Sequence, residues 1–367
     1  MRNTPGIPIA AFFFHLSMVT GHWSLSLPRE SGETPLPFVF SSSPTLLTEE
    51  IAVKVLAVEW SEARVAEAEV EFPDVHFVRA TDAEMIVSEI ADAEVVFGHI
   101  DREAFLAAKQ LRWIQYGGAG VEKVLEMEEL VESDVILTNA SGAHVDTMSE
   151  HAFGMLVYLA RSFGQLTEAQ ADHVYVPKNA YHPVGLAGMT LGIIGLGNIG
   201  RALARRGRAF EMDVIAVDEQ DVECPDYLSG CRLLDGLPYL LRRCDAVMVS
   251  TPQTARSIGM LGAEEIGYMK PGAYLLVVSR GRIVDEDALV TALQEGRLGG
   301  AGLDVQAIEP LPEDSPLWDA PNLILTPHCS DISARTTENS ISIMKDNLRR
   351  YLAGEPLRNI VDKKLGY

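Results

Sequence analysis

The chain reads Leu191-Gly-Ile-Ile-Gly195-Leu-Gly197-Asn-Ile-Gly200 where an apolar, strand-like run meets the start of a predicted helix. In this G-x-G-x-x-G pattern, Gly195 permits a tight turn, Gly197 allows a pyrophosphate to approach the backbone, and Gly200 allows helix and strand to pack closely. Free N–H groups and the helix dipole at the start of such a helix favour a phosphate. The segment therefore predicts a dinucleotide-binding turn in an α/β domain.

An acidic residue ends the next predicted strand, which reads Val214-Ile-Ala-Val-Asp218. It follows the glycines at about the spacing, roughly 20 residues, at which a carboxylate accepts hydrogen bonds from the adenosine ribose hydroxyls. A carboxylate at this position also repels the 2′-phosphate of NADP. Asp218 therefore favours NAD as the cofactor.

Strand-like and helix-like segments alternate on both sides of the glycine turn, which is typical of parallel sheets with helices on both faces. Before the turn we predict strands over residues 51–60, 76–79, 95–97 and 113–116, and helices over 62–69, 82–90 and 101–109. A second series runs from Met189 to about Pro327. Since 367 residues exceed one ordinary core, we expect an α/β fold with two doubly wound parallel-sheet domains.

Two predicted helices lie outside these series. An apolar helix from Ser149 to Phe163, with Ser149 as its N-cap, is expected to be buried between the domains. The C-terminal helix has no sheet of its own and is expected to pack on the first domain. We therefore predict a discontinuous first domain over residues 48–150 and 331–367, with a dinucleotide-binding domain over residues 151–330 inserted into it.

Residues 1–47 differ from the rest of the chain. They carry few charges, several Ser and Pro, and an apolar patch from Ile7 to Phe14 behind Arg2. The patch would suit the core of a targeting peptide, but no clear small-residue cleavage site follows it. A disordered extension and a targeting segment are both compatible with this composition. In either case we expect a chain that begins near Thr48 to fold and to keep its activity.

The balance of charges excludes some classes of partner. The formal net charge is −22, from 52 acidic residues against 30 Lys and Arg. Such a surface repels phosphate backbones, so we expect no nucleic-acid partner. No apolar run reaches the roughly 18 residues that a membrane span needs, so we expect no membrane partner either.

The cysteines are few and are not spaced as ligands. Cys224, Cys231, Cys244 and Cys329 include no C-x-x-C pair, so we predict no metal site. Four thiols in so long a chain do not resemble a secreted disulfide framework, which favours a reducing, cytoplasmic location. An organellar location is the alternative if residues 1–47 are a transit peptide. The absence of G-x-S-x-G and H-E-x-x-H gives no support to a serine hydrolase or a zinc protease.

Further motifs follow the glycine turn in a fixed order. They are Pro252-Gln-Thr-Ala-Arg-Ser257, Met269-Lys-Pro-Gly272, Ser279-Arg-Gly-Arg-Ile-Val-Asp285, Leu303-Asp-Val-Gln-Ala-Ile-Glu-Pro310 and Leu325-Thr-Pro-His328. With them, the stretch from Met189 to Ser330 resembles the D-isomer-specific 2-hydroxyacid dehydrogenase family. Weaker similarity extends from about Ile51 to the C-terminus, through the segments 113–120 and 149–152.

The resemblance implies a Rossmann domain plus a flavodoxin-like substrate domain. It also implies an NAD-dependent oxidoreductase, expected as a homodimer, that interconverts a small 2-oxo acid and a D-2-hydroxy acid by hydride transfer. The family's catalytic Arg, Glu and His fall on Arg280, Glu309 and His328.

The chemistry of these residue types agrees with the roles that the resemblance implies. A guanidinium can hold the substrate carboxylate and polarise the adjacent carbonyl, which is the role expected of Arg280. One histidine, His328, suffices for the proton, and a bonded carboxylate, Glu309, would fix its tautomer. Backbone N–H groups of Gly118, Ala119 and Gly120 are expected to meet the substrate carboxylate.

For the cofactor, the resemblance implies a set of contacts that follow the predicted strands. They come from Gly195, Gly197, Asn198, Ile199, Gly200, Asp218, Thr251, Pro252, Ser257, Val278, Ser279 and Asp304. The sequence departs from the common family pattern at Val277, Gln306, Ser330 and Asp331. Because Asp331 adds an acid near the mouth of the site, the identity of the 2-oxo acid is not predicted.

Three alternative functions are compatible with parts of this sequence pattern. An NAD(H)-sensing protein similar to the corepressors of the same fold would bind NADH but hardly turn over 2-oxo acids. A catalytically inactive homologue is disfavoured by the complete set of Arg280, Glu309 and His328. A formate dehydrogenase is disfavoured because it has Gln where this chain has Glu309. His144 and His151 are interpreted as structural or cleft-lining.

Overall fold

The computed structural model of the protein describes residues 53–366 and the short segments 17–19 and 22–24. These segments, β1 (Ser17–Val19) and β2 (His22–Ser24), pair as an antiparallel ribbon. The other residues of the predicted extension 1–47 lie outside the described part of the chain. The nature of that extension, disordered or targeting, therefore stays a prediction.

The first domain is built on a five-stranded parallel sheet. Its strands are β3 (Val53–Val58), β4 (Val75–Ala80), β5 (Val95–Phe97), β6 (Trp113–Gln115) and β7 (Ile136–Thr138). They lie in the order β4-β3-β5-β6-β7, the flavodoxin-like arrangement. Because helices cover both faces, β5 is buried along its whole length and its sequence is a short apolar run rather than an alternating one.

Short helices connect these strands. They are α1 (Glu62–Glu71), α2 (Ala83–Glu89), α3 (Arg102–Ala107) and α4 (Glu128–Glu132). The first three begin directly after Ser61, Asp82 and Asp101, whose side chains each accept a hydrogen bond from a backbone N–H of the first turn. N-caps of this kind explain why the helices begin close to the predicted residues.

The second domain is built on a seven-stranded parallel sheet. Its strands are β8 (Thr190–Ile194), β9 (Asp213–Asp218), β10 (Gly230–Leu233), β11 (Ala246–Val249), β12 (Ala273–Val277), β13 (Leu298–Leu303) and β14 (Leu323–Leu325). The order β10-β9-β8-β11-β12-β13-β14 is the Rossmann order with one added strand. The chain changes direction between β8 and β11, and ligands of open α/β sheets bind at such a switch point.

Helices flank this sheet and connect it to the first domain. They are α5 (Val145–Ala160), α6 (Phe163–Ala171), α7 (Asn198–Ala209), α8 (Leu237–Arg243), α9 (Ala263–Tyr268), α10 (Glu286–Gln294) and α11 (Ala334–Ala353). The two parallel-sheet domains confirm the predicted fold class. The exact boundaries at 150/151 and 330/331 stay a prediction, and α5 already begins at Val145.

The prediction that Ser149 is an N-cap is wrong. Helix α5 begins one turn earlier, after His144, and the Ser149 hydroxyl donates to the carbonyls of Val145 and Asp146 inside the helix. A serine can bond to a preceding carbonyl in this way within a helix, and no Gly or Pro interrupts residues 145–148. The apolar face of α5 packs on the second sheet, where Met155 and Leu156 join its core.

The C-terminal helix packs on the first domain, as predicted. Met344 and Leu348 of α11 lie in one buried cluster with residues of β3, β4 and β5. The ring of Tyr351 stacks on Trp113 of β6 with 5.2 Å between the ring centroids. The first domain is therefore discontinuous in sequence, because its core is completed from the end of the chain.

The structure pairs two cysteines that the sequence analysis treats as free. Cys224 and Cys231 form a disulfide that ties the segment after β9 to β10. Their separation of seven residues follows no motif, so the pairing depends on the course of the chain. Within residues 53–366, no helix is both long enough and apolar enough to cross a membrane.

Candidate active site between the two domains

The glycine turn has the geometry that its sequence predicts. Gly195 has a φ of +91°, and an added Cβ there would lie 2.8 Å from the Thr251 backbone nitrogen, so no side chain is tolerated. An added Cβ at Gly200 would overlap the Gly195 carbonyl oxygen. At Gly197, which precedes α7, no described atom lies within 4 Å of an added Cβ. The start of α7 is thus open to a phosphate group.

Asp218 connects the end of β9 to this turn. Its Oδ2 accepts a hydrogen bond from the Leu196 N–H (2.6 Å) and its Oδ1 accepts one from the Gln220 N–H (2.9 Å). An ionised carboxylate has about four acceptor sites, so two are left for ribose hydroxyls. A cavity of about 380 Å³ lies beside Asp218, and the Cys224–Cys231 disulfide lines its other side.

These features fit a dinucleotide. The start of α7 offers N–H groups to a pyrophosphate, and the cavity beside Asp218 offers room for an adenosine. Ser279 at the end of β12 adds a second indication, because its buried Oγ has no hydrogen-bond partner among the described residues. A polar atom buried without a partner is uncommon in proteins, and a ligand group would satisfy it.

The predicted site residues gather at one edge of the second sheet because each follows a parallel strand. Thr251 and Pro252 follow β11, Val278 and Ser279 follow β12, and Asp304 follows β13. Asn198 and Ile199 begin α7 directly after β8, and His328 follows β14. Ser257 holds the loop after β11, since its hydroxyl donates to the Pro252 carbonyl (2.8 Å). Among the described residues, no cluster of three or more His, Cys, Asp or Glu could hold a metal ion.

His328 and Glu309 form the predicted pair. The His328 Nδ1 lies 2.9 Å from the Glu309 Oε2. The backbone of His328 has a φ of +50°, a conformation that costs a non-glycine residue of order 1 kcal/mol and that clusters at functional sites. Backbone hydrogen bonding sustains it, because the His328 N–H donates to the carbonyl of Asp304 (2.7 Å).

Asp304 holds the segment that carries His328. Its side chain is fully buried, and its carboxylate accepts hydrogen bonds from the Thr326 hydroxyl (2.6 Å) and from the N–H groups of Cys329 and Ser330 (both 3.0 Å). Burial raises the pKa of Asp304, but hydrogen bonds from Ser330, Thr326 and Cys329 outweigh it and hold the pKa below the ordinary value. The predicted contact of Asp304 with the cofactor stays a prediction, and its role in the structure is to order the 326–330 segment.

Arg280 extends from the end of β12 to the glycine loop of the first domain. Its Nη1 donates to the Ser279 carbonyl (2.7 Å), and its Nε and Nη2 donate to the Glu122 carboxylate (2.8 and 3.2 Å). An added Cβ at Gly120 would overlap the guanidinium, so only glycine allows this approach. Arg280 therefore lies directly against the loop that is predicted to meet the substrate carboxylate.

One cleft joins the predicted catalytic and substrate-binding residues. A cavity of about 420 Å³ is lined from the first domain by Gly118, Ala119 and Gly120, and from the second by Arg280, Glu309 and His328. A cavity of this size holds a small organic acid. Tyr116, His144 and Asp331 line both this cavity and a second one of about 460 Å³ that runs along α11.

Sequence reasoning missed Glu122 and underestimated His144. The only signal for Glu122 is an acidic residue two positions after the glycine loop, which alone points to no partner. His144 is 8 % exposed, lines the cleft as interpreted, and neither of its ring nitrogens has a hydrogen-bond partner in the described structure. Burial lowers the pKa of His144 below its ordinary value, although the charge of Asp331 acts against this. The His151 Nε2 lies 2.9 Å from the Thr326 hydroxyl oxygen.

The chain is similar to known proteins over most of its length. The profile of the D-isomer specific 2-hydroxyacid dehydrogenase NAD binding domain matches residues 153–330. Glyoxylate reductase of Korarchaeum cryptofilum (strain OPF8) is 32% identical over 292 residues, which are 78% of this chain and 85% of that protein.

Solved structures are similar in both domains. A D-isomer specific 2-hydroxyacid dehydrogenase family protein from Aeromonas salmonicida is 32% identical with a TM-score of 0.77, over 85% of this chain and 99% of that one. A D-isomer specific 2-hydroxyacid dehydrogenase from Xanthobacter autotrophicus Py2, in complex with NADPH and MES, is 26% identical with a TM-score of 0.72, over 85% of this chain and 99% of that one.

Proposed function

Because the chain belongs to the D-isomer specific 2-hydroxyacid dehydrogenase family, we propose that its cleft reduces a small 2-oxo acid to the D-2-hydroxy acid, and catalyses the reverse reaction. The observation that carries the assignment of residues is the single cavity lined by Arg280, Glu309 and His328, with the His328 Nδ1 2.9 Å from the Glu309 carboxylate. When bound, the nicotinamide dinucleotide supplies or accepts the hydride.

Arg280 is proposed to orient the substrate. The guanidinium matches a carboxylate geometrically, and two parallel N–H···O bonds fix both position and angle. The same charge polarises the neighbouring carbonyl as negative charge develops on its oxygen. N–H groups of the Gly118–Gly120 loop, which line the same cavity, complete the carboxylate site.

His328 is proposed to move the proton. With Nδ1 held by Glu309, the remaining ring nitrogen Nε2 is the one that exchanges a proton with the substrate oxygen. In reduction the protonated ring donates to the carbonyl oxygen, and in oxidation the neutral ring accepts the hydroxyl proton. The Glu309 carboxylate stabilises the positive ring and keeps its orientation.

The cofactor is proposed to be NAD rather than NADP. Asp218 presents a carboxylate beside the cavity of about 380 Å³, where it would accept ribose hydroxyls and repel a 2′-phosphate. The similar structure from Xanthobacter autotrophicus Py2 contains NADPH, so the fold alone does not select NAD. Titration of the protein with NADH and NADPH tests the proposal, which fails if NADPH binds more tightly.

A screen of substrates tests the function. We expect NADH oxidation with at least one of glyoxylate, pyruvate, hydroxypyruvate, phenylpyruvate and the branched 2-oxo acids. Tight NADH binding without turnover of any 2-oxo acid would instead favour the NAD(H)-sensing alternative. Loss of turnover in Arg280→Ala, with NADH affinity unchanged, would tie the activity to this cleft.

We also propose that two copies associate. Tyr158, Phe163 and Val184 lie around the junction of α5 and α6 and are 37–43% exposed, and Tyr175 nearby in sequence is 92% exposed. Exposed apolar patches often mark interaction sites, and a two-fold axis would bury this patch of one copy against the same patch of the other. Light scattering of the protein and of a Tyr175→Asp/Phe163→Asp variant tests this, since a monomeric wild type would refute it.

A cytoplasmic location is proposed from the sparse cysteines, with an organelle as the alternative if residues 1–47 direct transport. The Cys224–Cys231 disulfide counts against the cytoplasm, because disulfides are rare in compartments where thiols are kept reduced. Imaging a fluorescent fusion of the full chain beside one that lacks residues 1–47 distinguishes the two. A different distribution of the two fusions would establish targeting.

A further inference from the structure

An ion pair joins the two domains directly across the cleft. Glu122 lies on the loop after β6 of the first domain, and Arg280 follows β12 of the second, 158 residues later. The Glu122 Oε1 accepts from the Arg280 Nε (2.8 Å), and its Oε2 accepts from the Nη2 (3.2 Å). Both side chains line the cavity of about 420 Å³ in which the substrate is expected.

The hydrogen bonds of Arg280 divide its five N–H groups into used and free ones. Glu122 takes the single hydrogen of Nε and one of Nη2, and the Ser279 carbonyl takes one of Nη1 at 2.7 Å. One hydrogen remains on each terminal nitrogen. The end of a guanidinium presents one hydrogen of Nη1 and one of Nη2 side by side, which is the arrangement that a carboxylate accepts bidentately.

We propose that Glu122 is a positioning residue: it holds the Arg280 guanidinium by one edge so that the other pair of N–H groups faces the substrate carboxylate. This rests on the proposed function, since it assigns Arg280 to a carboxylate. Without Glu122, a long and flexible side chain loses its orienting contact from the first domain. A displacement of about 1 Å at a substrate-orienting group costs on the order of 10²-fold in rate.

The surroundings of Glu122 keep it ionised for this role. Burial raises its pKa, but the hydrogen bonds and charge of Arg280, with a smaller contribution from His328, lower the pKa below the ordinary value. The loop backbone also approaches the guanidinium closely. An added Cβ at Gly120 would overlap the guanidinium and approach the Glu122 Oε2 at 2.7 Å.

The test compares Glu122→Gln, Glu122→Ala and Glu122→Asp with wild type. Glu126→Gln is the matched control, because Glu126 is exposed on the same segment and lines neither cavity. We expect Glu122→Gln and Glu122→Ala to raise the KM for the best 2-oxo acid at least tenfold and to lower kcat, with the Kd for NADH within twofold. Glu122→Asp, which keeps the charge, should recover part of the loss, and the control should match wild type.

Binding of oxamate to the NADH-loaded protein gives a readout that needs no turnover. We expect its Kd to rise in parallel with KM in the Glu122 variants. A lower KM or Kd in the Glu122 variants would show that Glu122 competes with the substrate. An unchanged KM and Kd would show that the ion pair does not influence substrate binding. Either result overturns the proposal, while a wild type whose oxamate affinity depends on Glu122 and Arg280 but that turns over no 2-oxo acid refutes only the proposed function.

Discussion

The His328 Nδ1 lies 2.9 Å from the Glu309 Oε2, although 19 positions separate the two residues in the chain. They follow neighbouring strands, β13 and β14, which pair in parallel and therefore end at the same edge of the sheet. The left-handed backbone of His328 and its hydrogen bond to the Asp304 carbonyl turn the ring towards that glutamate and the cleft. The pair is the basis of the first two predictions.

Glu309→Gln should shift the pH dependence of 2-oxo acid reduction. The variant keeps the shape of the side chain but loses the charge that favours the protonated ring of His328. We therefore expect kcat/KM for reduction, measured with NADH saturating, to begin its decline with rising pH at a lower pH than in wild type. Profiles that superimpose would show that Glu309 does not influence the proton donor.

His328→Ala and Arg280→Ala should change the kinetic constants in different ways. Loss of the proton carrier should lower kcat by about 10²- to 10⁴-fold and leave KM nearly unchanged. Loss of the guanidinium should raise KM and lower kcat together, because Arg280 contributes to both binding and polarisation. Steady-state kinetics separates the two patterns, and the Kd for NADH should barely change in either variant. If KM rose in His328→Ala but not in Arg280→Ala, the roles given to the two residues would be wrong.

Asp218→Ser combined with Glu219→Arg should raise the use of NADPH relative to NADH. The substitutions remove the carboxylate that repels a 2′-phosphate and add a cation beside it. Glu219 is ion-paired with Arg256 (2.6 Å), so its replacement also releases that arginine towards a phosphate. The ratio of kcat/KM for the two cofactors measures the effect, with Asp226→Ser, at an exposed carboxylate that does not line this cavity, as a control. A wild type that already prefers NADPH would contradict the role of Asp218.

Asp304→Asn should destabilise the protein in a pH-dependent way. The amide cannot accept from all the donors that the buried carboxylate satisfies, which costs about 1–3 kcal/mol. Because the pKa of Asp304 is lowered on folding, its contribution is present above the ordinary Asp range and is lost as the pH falls through about 4 towards the folded value. The difference in free energy of unfolding between variant and wild type should therefore be larger at pH 7 than at pH 3. The exposed Asp314→Asn should show no such difference.

Cys224→Ser should weaken both stability and NADH binding. The disulfide closes the segment between β9 and β10, and removing a short loop closure costs about 2–4 kcal/mol. The same segment lines the cavity beside Asp218, so its ordering prepares the adenosine site. We expect a lower Tm and a higher Kd for NADH, and dithiothreitol should reproduce both in wild type. A variant with unchanged Kd would separate the disulfide from cofactor binding.

The features that could be predicted are those that short-range patterns specify. The glycine turn was predictable residue by residue, because the positive φ of Gly195 and the contact of Gly200 with the Gly195 carbonyl both arise within one strand–turn–helix unit. The alternation of apolar strands and helices predicted two parallel sheets, since a buried parallel strand must be apolar on both faces. Even the failure at Ser149 moved a helix start by only one turn.

The features that could not be predicted are pairs of residues whose contact depends on the path of the chain in three dimensions. Glu122 contacts Arg280 although 158 positions separate them in the chain. Cys224 and Cys231 bond because β10 returns beside β9. Neither pair has a local signal, because a charge or a thiol in a loop is compatible with solvent as well as with a partner. His144 shows the same limit: its burial beside Asp331 depends on α5 and the start of α11 meeting at the cleft, a packing contact that no periodicity records.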